Sequence, residues 1–408
     1  MTAQARKPDR LRVLFLLGPA FVAAIAYVDP GNVAANISGG SEYGYLLVWV
    51  LVAANVIAGI LQYQSAKLGL VTGRSLPELL GARLGTGGRR AFWVQAEVIA
   101  IATDLAEVIG GAIALNLLFG LPLVLAGVIV GVVSMVLLAL QSRFGQRPFE
   151  FVVIGLLAII AIGFVFGLFL RPPDGVAVLG GMVPRFEGSG SVLLAASMLG
   201  ATVMPHAIYV HSSLARDRHG QPTDAGGTSR LLRVTRWDVG IALSLAGLVN
   251  IGILLLAAVN LRRLGSGDTI TRAYVVIGQH LGPVVALIFA IGLLASGLAS
   301  TSVGSYAGAT IMSGLIHRRI PMLARRLITL VPALVVLGLG ADPTSALVIS
   351  QVVLSFGIPF ALVPLIALTS DRALMGGFVN GRAMRFVLLG IVFVVVVLNA
   401  ALITVSVY

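Results

Sequence analysis

The stretch AYVDPGN (26–32) sets a carboxylate, Asp29, beside Pro30 and Gly31, with the amide of Asn32 close behind, inside an otherwise apolar run. A second stretch, GATVMPHAIYVH (200–211), sets the thioether of Met204 and the imidazole of His206 on either side of Pro205. A third, QAEVIAIATDLAEVIGG (95–111), carries three acids, Glu97, Asp104 and Glu107. Such groups bind cations and move protons. A carboxylate supported by neutral oxygens suits Ca²⁺, Mg²⁺ or Mn²⁺ alike. A thioether adds nothing for the two hard ions and favours softer first-row ions such as Mn²⁺ and Fe²⁺. A lone methionine is usually core filler, so the weight given to Met204 rests on its position relative to Asp29.

The elements that must carry these groups are membrane helices. The 408-residue chain is 58% hydrophobic and 11% charged, far more apolar than a soluble protein of this size. Its mean hydropathy is +1.01. Apolar runs of about twenty residues recur without the period-two alternation of an outer-membrane barrel. Eleven spans are predicted: 13–35, 44–71, 91–119, 122–141, 150–170, 191–214, 238–260, 282–315, 320–340, 345–369 and 386–407. The basic amino terminus followed by an apolar run imitates a signal peptide. Cleavage there would remove half of the helix that carries Asp29, so the segment is expected to stay.

The 28 basic residues test this count. With residues 1–12 as a cytoplasmic tail, that tail and the even-numbered loops hold 23 of them, and the outer loops hold 5 (Arg171, Arg185, Arg262, Arg263 and Arg272). That asymmetry predicts a cytoplasmic-membrane protein with its amino terminus inside and Tyr408 outside. The pI near 10.9 then reflects cytoplasmic loops rather than nucleic-acid binding.

The two proline breaks repeat each other. Ala26-Tyr-Val-Asp29-Pro30 and Ala201-Thr-Val-Met204-Pro205 share Ala-x-Val-x-Pro at a shift of 175 residues. Five spans lie before the second copy. Each copy therefore opens a five-helix unit, 13–170 and 191–369, with 386–408 as an additional eleventh helix. Five being odd, the two units face opposite ways, as in inverted-repeat secondary transporters whose substrate sits between unwound helices. Ordinary proline kinks are the plainer explanation, but matching flanks at both breaks argue against it. Unwinding would free the carbonyls of Ala26 and Ala201, one turn before each proline, to join Asp29, Asn32 and Met204.

Taken together, AYVDPGN and MPH resemble the NRAMP family, in its bacterial MntH-type branch of divalent-metal transporters. The likeness extends over 44–76, 293–312 and 350–376 and covers nearly the whole chain. The resemblance implies an all-α, polytopic LeuT-like fold, a five-plus-five inverted repeat with discontinuous helices one and six. It implies proton-coupled symport of Mn²⁺ or Fe²⁺ as cargo, with no resident cofactor. It carries metal ligation onto Asp29, Asn32, Met204 and the carbonyls of Ala26 and Ala201, and adds Gln351 from a tenth-helix glutamine. Leu298 and Ala309 depart from the family, which commonly has glutamines there; that leaves packing or water access along span eight in question.

At about 100° per residue, Glu97, Asp104 and Glu107 lie within about 80° of one another on span three. Three acids on one face cannot point at lipid. They either relay protons or pair statically with basic residues, for which Arg325 and Arg326 are the candidates. His206 belongs to the one side-chain type that titrates near neutrality, although a packing histidine is the alternative; His211 reads as structural. A divalent ion beside Asp29 opposes its protonation. The family picture then suggests a path from Asp29 through His206 and Glu107 toward Asp104, Arg326 and Glu97.

Rival functions are weaker. An amino-acid carrier of the same architecture would bring a carboxylate toward a break that is already negative, and Met204 speaks against a dedicated Mg²⁺ carrier. A metal channel stays open. No H-E-x-x-H and no cysteine support an enzyme. The lysines, Lys7 and Lys67, follow no glycine, so no Walker A motif exists and neither ATPase activity nor an ATPase subunit is expected.

Overall fold

The computed structural model describes residues 18–144, 155, 158, 168–169, 171–222, 224–262, 269–317 and 321–407. The predicted fifth span, 150–170, and residues 13–17 of the first lie almost wholly or wholly outside these. Among the described residues all regular structure is helical. In chain order the helices are α1 (Pro19–Ala26), α2 (Pro30–Tyr43), α3 (Val48–Thr72), α4 (Leu76–Arg83), α5 (Thr86–Phe119), α6 (Leu123–Phe144), α7 (Gly175–Gly180) and α8 (Gly188–Thr202). There follow α9 (Pro205–His219), α10 (Ala225–Asn260), α11 (Thr269–Leu281), α12 (Pro283–Ile316), α13 (Met322–Gly338), α14 (Pro343–Thr369), α15 (Arg372–Met375) and α16 (Arg382–Val407).

Spans one and six are each two helices with an extended residue at the join. Asp29 (φ −77°, ψ 167°) caps α2, its side chain accepting from the Asn32 amide, and Pro30 begins the helix where a missing N–H costs nothing. Met204 (φ −66°, ψ 120°) stands in the same position before α9, with Pro205 following. Neither proline can donate to the carbonyl four residues earlier, which is Ala26 in one case and Ala201 in the other. Local chemistry thus removes a helical donor at each break, but Pro332, Pro359 and Pro364 lie inside the continuous helices α13 and α14, so the lost donor alone does not open a helix.

Tertiary contacts hold the short pieces in place. The first amides of α1 have no helical partners of their own. Buried Asp238, on α10, accepts from Gly18 and Ala20, each at 3.0 Å. The predicted first span ends at 35, whereas α2 runs to Tyr43. The extra turns read ISGGSEY, too small and polar to register as apolar, yet their size permits close packing: a Cβ on Gly40 would lie 2.3 Å from the Leu254 carbonyl of α10.

Other differences lie at helix ends and in loops. α10 begins at Ala225 rather than 238, capped by Asp224, because a helix can continue into water past the lipid. Hydropathy does not find α4, α7, α11 or α15. Helix α4, which lies outside the predicted spans, begins at a reciprocal capping box of Ser75 and Glu78. It docks on α9 through the Leu76 amide to Ser212 Oγ at 2.9 Å and through Arg216 to Glu78 at 2.6 Å. Burial raises the Glu78 carboxyl, but the Arg216 guanidinium and the Ser75 amide outweigh it and hold the group below the usual carboxylate range.

Candidate functional site

The two breaks meet in the interior. Asp29, Asn32, Ala26, Ala201 and Met204 are all buried to within 1% of full exclusion from solvent. Asn32 joins the breaks: its Nδ2 donates to Asp29 Oδ1 at 2.9 Å and to the Ala201 carbonyl at 2.9 Å. Its Oδ1 accepts from Thr202 Oγ1 at 3.4 Å. Asp29 Oδ1 also accepts from the Asn32 backbone at 2.8 Å, while Asp29 Oδ2 is buried without a hydrogen-bond partner. A buried carboxylate oxygen with nothing to accept from is costly. It is an arrangement suited to a cation or a proton.

Gln351, on α14, reaches both breaks. A Cβ on Gly31 would fall 1.8 Å from Gln351 Nε2, and one on Gly200 would fall 2.0 Å from the Gln351 carbonyl. The two glycines admit α14 to the site. Gln351 Nε2 donates to Ser350 Oγ at 3.1 Å, and its Oε1 is a second buried acceptor without a partner. Met204 is fully buried at the second break. Among the described residues no three His, Asp or Glu side chains gather as a polycarboxylate or imidazole metal cage would. One carboxylate and several neutral donors make up this site.

The acids of α5 lie against α13. Arg325 meets Glu97 at 2.9 Å, and Arg326 lies 3.0 Å from Asp104 and 3.7 Å from Glu107. Arg326 is 1% exposed and also donates to Ser134 Oγ on α6 at 3.0 Å and to Thr301 Oγ1 on α12 at 3.3 Å. The pairing with Arg325 and Arg326 that the sequence offered as the static alternative is thus present. Space for it comes from glycines of α12. A Cβ on Gly308 would fall 1.2 Å from Arg325 Nη1, and one on Gly304 would lie 3.3 Å from Glu107 Oε1.

Two contacts connect this row of charge to the breaks. His206 Nδ1 lies 3.4 Å from Thr103 Oγ1, the residue before Asp104. The Pro30 ring rests on α5 and α12: a Cβ on Gly110 would come within 2.0 Å of it, and one on Gly297 within 3.5 Å of it and 2.9 Å of the Glu107 carbonyl. Leu298 and Ala309, the two departures on span eight, are both half-buried, whereas Ser296, Thr301 and Gly304 of that helix meet the break or the charged row.

Sequence reasoning missed a polar chain beside the first break. Ser296 donates to the Val28 carbonyl, and Asn250 Nδ2 to the Tyr27 carbonyl at 2.6 Å. The Tyr27 hydroxyl accepts from Gln62, whose Oε1 lies 2.6 Å from His211 Nδ1. Asn36 donates to Asn250 at 2.9 Å. The available signal was amide side chains within apolar spans, which must find partners in the bundle.

Comparisons with known proteins bear on the family and the fold. The Natural resistance-associated macrophage protein-like (Nramp) family matches residues 20–405. The divalent metal cation transporter MntH of Mycobacterium tuberculosis is 61% identical over 393 residues, covering 96% of this chain and 92% of that protein. The crystal structure of the Eremococcus coleocola manganese transporter superposes with a TM-score of 0.86 at 32% identity, covering 97% of this chain and 87% of the other. A remoter structure, MhsT in complex with L-phenylalanine, superposes with a TM-score of 0.64 at 14% identity over 95% of this chain and 97% of the other, a likeness of fold alone. The fold is accordingly LeuT-like, an inverted five-plus-five repeat with discontinuous first and sixth helices and an eleventh helix.

Proposed function

The chain belongs to the Nramp family, and from that premise we propose that it carries divalent transition-metal ions, Mn²⁺ or Fe²⁺, across the cytoplasmic membrane in symport with protons by alternating access. The observation that carries the reading is Asp29 Oδ2, a buried carboxylate oxygen without a partner at the junction of two broken helices. Asp29 supplies the charge, and Asn32 Oδ1, the Ala26 and Ala201 carbonyls and Gln351 Oε1 supply neutral oxygens. Met204 supplies the soft donor that discriminates against Ca²⁺ and Mg²⁺. The Ala201 carbonyl and Asn32 are bonded to each other, so ligation by both requires the Asn32 amide to turn.

Protons released as the metal arrives at Asp29 pass to His206 and the α5 acids, Glu107, Asp104 and Glu97, with Arg326 and Arg325 neutralising the row. Units 13–170 and 191–369 act as the two repeats, the amino terminus lies in the cytoplasm, and no ATP-driven subunit takes part. Names of relatives support divalent-metal cargo, and the joined Arg326, Asp104 and Glu107 support a proton route distinct from the metal site.

Uptake into proteoliposomes tests the reading, with Mn²⁺, Fe²⁺, Mg²⁺ and Ca²⁺ compared with and without a pH gradient. Saturable Mn²⁺ or Fe²⁺ uptake, driven by the gradient and absent in Asp29→Asn, is the expected result. Retained transport by Asp29→Asn sinks the site assignment, and linear, leak-like flux favours a channel. Met204→Ala is expected to admit Ca²⁺ and Mg²⁺; unchanged discrimination removes the thioether from the selectivity argument.

A further inference from the structure

Between α3 and α10, away from the breaks, lies a groove of about 370 Å³ that also touches the start of α16. This is within the range of about 300–1,000 Å³ that ligand clefts occupy. Val56, Ile60, Val239 and Met384 give it an apolar lining, and two glycines, Gly59 and Gly240, line it as well. A Cβ on Gly240 would meet nothing within 4 Å, so the space above it is open.

One end of the groove is polar. Arg236 holds its guanidinium 5.5 Å from the centroid of the Tyr63 ring, and among the described residues no carboxylate pairs with it. Tyr63 thereby fixes the cation at the mouth while leaving its in-plane N–H donors free for another acceptor. Gln64 lines the same end, is 1% exposed, and has its Oε1 buried without a hydrogen-bond partner. Trp237, 66% exposed beside Arg236, is the side chain that settles at headgroup depth in a bilayer. Arg230 and Arg233 stand on the two preceding turns of α10.

An apolar trough leading to a fixed cation and an orphan acceptor matches one class of molecule. We propose that the groove binds an anionic glycerophospholipid whose headgroup carries a hydroxyl. An acyl chain lies along Val56, Ile60 and Gly240, the phosphate sits on Arg236, and the headgroup hydroxyl donates to Gln64 Oε1. A neutral choline lipid offers neither a net negative charge nor a donor. The occupant would lie between α3, which follows the first break in the chain, and α10, which carries the Asp238 anchor of α1.

Native mass spectrometry of the full chain in detergent tests this, with phosphatidylglycerol, phosphatidic acid, phosphatidylcholine and inorganic phosphate added separately. Phosphatidylglycerol is expected to stay bound in preference to phosphatidylcholine. Arg236→Gln should weaken that preference about fivefold, the effect of one basic residue near an anionic headgroup. Gly240→Leu, whose side chain enters open space, should abolish retention in a folded protein. Gln64→Leu should weaken phosphatidylglycerol and leave phosphatidic acid unaffected. Equal retention of phosphatidylglycerol and phosphatidylcholine, or retention indifferent to both Arg236→Gln and Gly240→Leu, overturns the proposal. So does displacement of the lipid by inorganic phosphate, which would mark a free-anion site.

Discussion

Asn32 Nδ2 donates to the Ala201 carbonyl at 2.9 Å, across 169 positions of sequence, and so ties the first break directly to the second. The same nitrogen donates to Asp29 Oδ1. One amide therefore orients the carboxylate and occupies the carbonyl that the second proline set free.

That double role predicts the behaviour of Asn32→Ala. The variant loses a neutral oxygen and leaves Asp29 without its orienting donor. Metal affinity is expected to fall about 10- to 100-fold, as when groups that orient a ligand are removed. Isothermal titration of purified protein with Mn²⁺ measures it. Affinity within twofold of the parent would exclude Asn32 from the site.

Glu107 and Arg326 are expected to fail differently. Glu107→Gln keeps the side chain's shape and should uncouple proton flux from metal uptake while metal still binds. Arg326→Gln leaves Asp104 and Glu107 without their cation in a buried setting, and should cost about 3–5 kcal/mol of stability. Vesicle acidification under a metal gradient reads the first effect and detergent melting the second. Unchanged metal-driven proton flux in Glu107→Gln takes that residue out of the route.

Gly110 tests whether the first break depends on its neighbours. A Cβ there would come within 2.0 Å of the Pro30 ring, an overpacking worth about 1–3 kcal/mol. Gly110→Ala should lower Mn²⁺ uptake with Asp29 untouched. Gly87→Ala, on the same helix with nothing within 4 Å of the added carbon, should be neutral in uptake and melting. Equal behaviour of the two variants would contradict the close fit of α5 against Pro30.

Docking of α4 should depend on pH. The Glu78 carboxyl titrates below its ordinary range when folded, because Arg216 and the Ser75 amide outweigh burial. Its ion pair therefore stabilises the docked helix above the ordinary carboxylate value, and that contribution is lost as pH falls through the depressed folded value. The partners are 39% and 23% exposed, so screening limits the pair to about 0.2–1 kcal/mol. A double-mutant cycle of Glu78→Gln and Arg216→Gln, read by melting at neutral and at acid pH, should show this coupling only at neutral pH.

Much of the molecule could be read from residues alone, because membranes make local chemistry decisive. A proline four residues after Ala26 or Ala201 leaves a carbonyl without its helical donor, whatever the rest of the chain does. The repeated Ala-x-Val-x-Pro thus located both breaks, and hydropathy located the long apolar helices among the described residues, though not α4, α7, α11 or α15. The reading ended α2 early because Ser and Gly score as breaks in an apolar run; their value lies in close approach to α10, which no single-segment property contains. The placement of three acids on one face of α5 followed from helical periodicity, and two adjacent arginines were suggested as partners, but which arginine meets which acid depends on how α13 and α12 pack. Gln351 contacts Gly31 and Gly200, and Asn32 contacts Ala201, only after α14, α2 and α8 converge. Sequence by itself determined which groups are present and which carbonyls lose their helical donors. Tertiary packing decided which of those groups share a hydrogen bond, and which, like Asp29 Oδ2 and Gln351 Oε1, are left buried without one.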